Sequence, residues 1–141
     1  MYEKHSCIKT RILSLVRPKE KSVFDIHNPT GLKYIFQLRL GLSSLKCHKR
    51  HHNFTDTPTD WCDCRCAPED TAHFLVSCHL HNVHRARLHD SVLEILVPYD
   101  MQNFINNTDL YFYGYSSLSL SENKNILLST IKFINESNRF A

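Results

Sequence analysis

Three cysteines and one histidine carry the clearest chemical signal in the chain. Cys62, Cys64, His73 and Cys78 stand in the order Cys-x-Cys-x8-His-x4-Cys. Three thiolates and one imidazole form a Cys3His set, which closes a tetrahedral shell around a structural Zn2+ ion and leaves no position open for a substrate. The spacing therefore predicts a zinc site that holds the shape of residues 62–78 rather than a catalytic centre.

The same segment offers other ligand sets. Only one residue separates Cys62 from Cys64, a tighter spacing than the usual two to four, and Cys66 adds a third thiol that can substitute for a neighbour. His79 or His81 can replace the first histidine. Two readings compete with zinc: unrelated thiols with the histidine in a capping or core role, and three disulfides in a small secreted protein.

Composition is that of one folded domain. The chain has 141 residues, 42% hydrophobic and 22% charged, with three glycines and five prolines, which excludes a low-complexity or disordered chain. The first 18 residues are charged, and their longest apolar run is interrupted by Ser14. Because this is neither a signal peptide nor a membrane span, we expect an intracellular protein of the nucleus or cytoplasm, where cysteines are metal ligands or free thiols.

Positive charge is concentrated just before the cysteines, although the net charge is only +3. Acidic residues follow between positions 56 and 70 and reverse the sign. A basic stripe beside an acidic loop is typical of a surface that faces phosphate, and the competing interpretation is a solvated helix face balanced by its neighbours. The candidate phosphate contacts are Arg39, Lys46, Lys49 and Arg50, with His48, His51 and His52 among them.

Apolar periodicity predicts a mainly α protein: a small helical domain with an irregular zinc-knuckle loop and at most one short strand or hairpin. An N-terminal helix and linker occupy residues 1–27, and the helical region with the knuckle at 62–78 occupies 28–141. Residues 110–114, Leu-Tyr-Phe-Tyr-Gly, are the strand candidate because they are aromatic and bounded by turn residues. Helices are expected over 7–16, from the turn at 28–31 to Gly41, across His73 to Cys78, over 82–96 before Pro98, and from Ser119-x-x-Glu122 to about 135.

Two aromatic residues flank the ligands. Trp61 precedes Cys62, and Phe74 follows His73. We expect both rings to pack in the small core beside the metal, with base stacking as the alternative role.

Catalytic motifs are missing from the sequence. Tyr99-Asp100 is followed by Met, so the paired aspartates that hold two metal ions in a polymerase are not there. Neither a Gly-rich phosphate loop nor a Gly-x-Ser-x-Gly elbow occurs. The sequence therefore predicts that the chain is not an enzyme.

Several motifs in order resemble the C-terminal region of reverse transcriptases, the RNA-directed DNA polymerases, of non-LTR (LINE-like) retrotransposons. In that family a CCHC zinc knuckle follows the polymerase and thumb regions and is thought to help hold the RNA template or the target DNA. The resemblance implies that Cys62, Cys64, His73 and Cys78 bind Zn2+ and that the basic stripe contacts RNA or DNA with weak sequence preference. It rests on Asn28-Pro-Thr-Gly-Leu, Gln37-Leu-Arg-Leu-Gly-Leu-Ser-Ser-Leu45, His52-Asn-Phe-Thr-Asp-Thr57, the knuckle, and Arg87-Leu88 within residues 24–140.

The chain departs from the family pattern in three ways. Arg65 stands where glycine is common after the second cysteine, and Cys66 is an additional thiol. The fingers, palm and any nuclease domain are absent from the sequence. We therefore expect a remnant that cannot polymerise alone, and the alternatives are a zinc-stabilised module that docks on a protein through apolar helix faces, or a decayed open reading frame.

Overall fold

The computed structural model describes residues 22–140, which form a mainly helical domain, as predicted. In this range the only bridge pairing joins Trp61 and Pro68. The expected helix over 7–16 lies outside the described residues. Five α-helices are α1 Pro29–Leu40, α2 Lys46–His51, α3 Asn82–Leu96, α4 Thr108–Tyr113 and α5 Leu120–Ser137, with single 3₁₀ or π turns at His73–Ser77, His79–His81, Val97–Tyr99 and Gln102–Asn106.

Helix α1 begins and ends where the sequence predicts. The side chain of Asn28 accepts a hydrogen bond of 2.9 Å from the amide of Gly31, and Pro29 occupies the first turn, where no amide hydrogen is needed. Gly41 ends the helix with a φ of 70°, a left-handed conformation that glycine adopts without steric cost.

Helices α3 and α5 also confirm their predictions. Helix α3 covers 82–96, and Pro98 lies in the 3₁₀ turn that follows it. A capping box starts α5: Ser119 Oγ accepts from the amide of Glu122 at 3.1 Å, and Glu122 Oε1 accepts from the amide of Ser119 at 2.9 Å. The helix ends at Ser137, two residues beyond the predicted end.

Helix α5 is the centre of the core. It packs against α1, α3 and α4, and burial of each large apolar side chain contributes about 1.5 to 3 kcal/mol. The fully buried side chains include Ile35, Leu45, Phe74, Leu75, Val92, Leu96, Leu110, Tyr111, Ile126, Ile131, Phe133 and Ile134. No helix within residues 22–140 combines the length and apolarity needed to cross a membrane.

The strand predicted at residues 110–114 is wrong, because this segment is helix α4 with Gly114 as its C-cap. Asn107, interpreted as a turn residue, is the N-cap, and its side chain accepts from the amide of Asp109 at 3.0 Å. A lone strand leaves its amides and carbonyls unpaired, whereas a helix pairs them internally. The consecutive residues Leu110, Tyr111 and Phe112 are all buried, which a strand with one solvated face would not allow.

Candidate metal centre

A tight turn presents the first two ligands. The amide of Cys62 donates to the carbonyl of Ala67 at 2.9 Å, and the amide of Arg65 donates to the carbonyl of Cys62 at 2.9 Å. The amide of Cys66 points at Cys64 Sγ, 3.4 Å away. These bonds fix the turn on its own backbone, so both sulfur atoms are positioned by local structure.

The last two ligands lie at opposite ends of one π turn. Asp70 Oδ1 accepts from the amide of His73 at 2.7 Å and starts the turn. The amide of Cys78 donates to the carbonyl of His73 at 2.7 Å, a bond across five residues. This wide turn brings the predicted His73 and Cys78 together, and π turns of this kind are frequent at functional sites.

The four predicted ligands converge on one point. Cys62 Sγ lies 3.7 Å from Cys78 Sγ, and Cys64 Sγ lies 3.2 Å from His73 Nε2. All four ligand atoms lie within 4.8 Å of one another. Cys64 is half-buried, and the other three residues are buried. A tetrahedron with bonds of about 2.3 Å to sulfur has edges of about 3.8 Å. The cluster is therefore compatible with binding a metal ion.

The five cysteines at positions 47, 62, 64, 66 and 78 are free thiols. The sulfur separation of 3.7 Å between Cys62 and Cys78 is far beyond the bond length of about 2.05 Å. The disulfide alternative is therefore wrong for this part of the chain.

The surroundings of the clustered thiols shift their pKa values in opposite directions. Burial raises the pKa of Cys62 to about 12. Burial also acts to raise the pKa of Cys64, but hydrogen bonds from the Cys66 amide, His73 and the neighbouring thiols outweigh it and lower the pKa to about 6. A bound metal ion would favour the thiolate form of all three cysteines.

The additional thiol does not enter the buried set. Cys66 is exposed, and its sulfur lies 3.5 Å from the carbonyl oxygen of Cys64. His81 packs edge-on against Phe74 at 5.1 Å and is not among the described residues whose ligand atoms lie together. The geometry thus favours the predicted register over the alternatives that use Cys66 or His81.

A buried arginine supports the end of the π turn. Arg85 donates to the carbonyls of Phe74 at 2.8 Å, Leu75 at 2.9 Å and Cys78 at 2.7 Å. It also donates to the side chain of Asn82 at 2.9 Å. The exposure of Arg85 is only 4%, although arginine is usually a surface residue. It supplies the carbonyls of the turn with donors that the wide turn itself lacks.

Glu69 joins three segments beside the ligands. Its carboxylate accepts from the backbone amide of Lys46 at 2.9 Å and from the guanidinium of Arg139 at 2.7 and 2.5 Å. Burial acts to raise the pKa of Glu69, but these hydrogen bonds outweigh it and lower the pKa. The ring of Phe140 then packs against Phe74 at 5.4 Å. The clasp of Glu69, Arg139 and Phe140 thus holds residues 139–140 against the π turn.

Two candidate roles do not agree with the structure. Arg39 is 7% exposed, and its guanidinium lies 4.0 Å from the ring centre of Tyr113, so its position inside the domain does not fit the predicted contact with phosphate. Trp61 is 49% exposed, so the prediction that it packs in the core is wrong, whereas Phe74 is buried as expected. Cation–π contacts with aromatic rings stabilise the buried guanidinium of Arg39. A charged residue in the sequence does not by itself indicate such a buried position.

The other basic residues lie on α2. Lys46 pairs with Asp63 at 2.6 Å, and Lys49 pairs with Asp56 at 2.7 Å. Arg50 is exposed in the last turn of the helix. The basic residues of α2 and the acidic residues that follow them in the sequence therefore form ion pairs with each other.

Replacing Arg65 with glycine should stabilise the metal turn, the tight turn at residues 62–67. Arg65 has a φ of 64°, a left-handed conformation that costs a residue with a side chain roughly 1 kcal/mol. We expect Arg65→Gly to raise the free energy of unfolding of the metal-loaded protein by up to about 1 kcal/mol in urea titrations. Asn53→Gly is the matched control, because Asn53 has a φ of 61° but asparagine tolerates it. Equal gains for both variants would contradict the expectation.

Comparisons with known proteins bring no relative. No protein-family model, no curated protein and no solved structure matches the chain. The geometry of the cluster therefore carries the functional argument, and the resemblance to retrotransposon reverse transcriptases stays a prediction.

Proposed function

We propose that the chain is a zinc-stabilised, non-catalytic nucleic-acid-binding domain. The observation that carries the proposal is the convergence of Cys62, Cys64, His73 and Cys78, with all four ligand atoms within 4.8 Å. Three sulfur atoms and one imidazole nitrogen in a compact group favour Zn2+ among the abundant metal ions. A shell filled by four protein ligands leaves the ion a structural role.

The surface beside the metal turn supports a nucleic-acid role. Lys46 and Lys49 lie on α2 with side chains that are 26% and 25% exposed, and their carboxylate partners are 80% and 65% exposed. Exposed pairs of this kind contribute at most about 1 kcal/mol, so a phosphate group can replace the carboxylate at little cost. Trp61 and Phe54 are exposed rings on the same stretch of chain, and exposed aromatic rings offer stacking surfaces to unpaired bases.

The resemblance to non-LTR reverse transcriptases gives this surface a specific role. We propose that the domain corresponds to the C-terminal knuckle region of such an enzyme and contacts its RNA template or its target DNA. The ligands in this proposal are Cys62, Cys64, His73 and Cys78, which are the residues that the fold brings together. Polymerisation would require the parts of the family that this sequence does not contain.

Replacing two basic residues of α2 tests the nucleic-acid proposal. Each phosphate contact with a single strand contributes about 0.7 to the slope of log affinity against log salt. We expect Lys49→Ala with Arg50→Ala to reduce that slope by about 1.4 for both single-stranded RNA and single-stranded DNA. Fluorescence anisotropy with labelled oligonucleotides, repeated across salt concentrations, measures the slope.

A matched pair on another helix controls for net charge. Lys124→Ala with Lys132→Ala removes the same two charges from α5, where Lys132 is 74% exposed. This variant should keep the slope of the unchanged protein. Binding that is absent at low salt, or that does not weaken as salt rises, contradicts the proposal.

A second function is favoured by exposed apolar side chains beside the ligands. Leu80 is 52% exposed and Val83 is 66% exposed, directly after Cys78. A zinc-stabilised module that docks on another protein would use such side chains. A metal-loaded protein that ignores oligonucleotides but self-associates in sedimentation, and that becomes monomeric in Leu80→Ser with Val83→Ser, would support this function instead.

A further inference from the structure

The outer side of the metal turn carries a second group of ligands. The ligand atoms of Cys64, Cys66 and His79 lie within 4.8 Å of one another. Cys66 and His79 are both exposed, in contrast to Cys62 and Cys78. We infer that this group binds a second soft divalent cation, Zn2+ or Cd2+, and that the sulfur of Cys64 bridges the two ions.

Cys64 is placed to serve both groups. It is half-buried, whereas Cys62 and Cys78 are buried and Cys66 is exposed, so its sulfur lies at the boundary between the interior and solvent. On the inner side it lies 3.2 Å from His73 Nε2. His79 belongs to the 3₁₀ turn that starts directly after Cys78, which places its ring beside the same sulfur.

Charge balance favours the second ion. A divalent ion bound by three thiolates and a neutral imidazole leaves a net charge of −1 at the inner site. The outer ion adds +2, and the Cys66 thiol contributes −1 when its proton is released to solvent. Four thiolates and two divalent ions then carry no net charge, so the second ion neutralises the first site instead of repelling it.

The second ion would be held less firmly than the first. The outer group has three protein ligands, so a water molecule or another small ligand must complete the tetrahedron. The Cys66 thiol must also give up its contact with the carbonyl of Cys64, at 3.5 Å. The outer ion would therefore exchange with solvent, whereas the inner ion is enclosed by buried side chains.

Cadmium titration tests the inference, which rests on the proposed metal site. The reduced full chain is titrated with 113Cd2+, bound metal is counted by elemental analysis after equilibrium dialysis, and 113Cd NMR is recorded. We expect two bound equivalents and two resonances with scalar coupling between them, because a shared thiolate connects the ions through two bonds. Cys66→Ser and His79→Gln should each bind one equivalent and show one resonance without coupling.

Two control variants and the number of bound ions distinguish failure of the outer site from failure of the inner site. Cys47→Ser and His81→Gln leave both groups intact, so these variants should bind two equivalents. One equivalent in the unchanged protein overturns the second site and leaves the inner site standing, whereas no bound metal overturns both. Two equivalents that persist in Cys66→Ser and His79→Gln, or two resonances without coupling, also overturn the bridged site.

Discussion

Removing the metal ion should unfold residues 62–78 and loosen the core beside them. Zinc binding to small Cys/His sites contributes an apparent free energy of about 10 to 16 kcal/mol at neutral pH, and whole domains have a net stability of only about 5 to 15 kcal/mol. Phe74 and Leu75 follow the ligand His73 and are among the most buried side chains. Loss of the turn would therefore withdraw two large apolar groups from the packing around α3 and α5.

Elemental analysis and circular dichroism check this expectation. Reduced protein should contain one tightly bound zinc ion, and a chelator should abolish the near-ultraviolet spectrum that reports fixed aromatic packing. Cys78→Ser should lose the ion and the near-ultraviolet spectrum without a chelator. Cys47→Ser, which removes a thiol outside both metal-ligating groups, should behave like the unchanged chain. Zinc-free reduced protein with a spectrum that a chelator does not alter would refute the metal centre.

Replacing Arg85 with methionine should destabilise the domain strongly although it leaves every ligand in place. The substitution keeps an unbranched side chain but leaves the carbonyls of Phe74, Leu75 and Cys78 without the donors that they now use. Each buried carbonyl that loses its partner costs about 1 to 3 kcal/mol. With three carbonyls at the lower half of that range, we expect Arg85→Met to lower the free energy of unfolding of the zinc-loaded protein by about 3 to 5 kcal/mol.

Arg87 on the same helix provides the control. Its side chain is 64% exposed and pairs with Glu136 at 2.8 Å. Arg87→Met should cost less than about 1 kcal/mol, since exposed ion pairs contribute little. Urea unfolding of the two variants under identical zinc concentrations measures the difference. Equal losses would show that Arg85 does not support the turn through its hydrogen bonds.

Local signals in the sequence account for most of what was predicted correctly. Asn28, Gly41, Ser119 and Glu122 act within a few residues of themselves, so their caps can be recognised from spacing alone. The four residues that lie close together were predicted for the same reason, because the chemistry of metal binding restricts both residue type and spacing. These features need no knowledge of the rest of the fold.

The errors arise where distant contacts decide the outcome. The aromatic run at 110–114 has strand propensity, but no second strand lies beside it within residues 22–140, and packing against α5 makes it helical. Arg39 and Arg85 look like ordinary surface residues in the sequence. In the structure Arg39 lies beside aromatic rings, and Arg85 donates to carbonyls of the π turn. The decisive partners are distant in the chain: Tyr113 for Arg39, and the carbonyls of the π turn for Arg85.

The clasp formed by Glu69, Arg139 and Phe140 decides where the domain can be cut. Helix α5 ends at Ser137, which is the natural place to shorten a protein for expression. A version cut there would retain all five helices and all four ligands, but would leave the buried Glu69 carboxylate without its guanidinium partner. The functional boundary of the domain therefore lies beyond its last helix, at a short irregular segment that a secondary-structure map would discard.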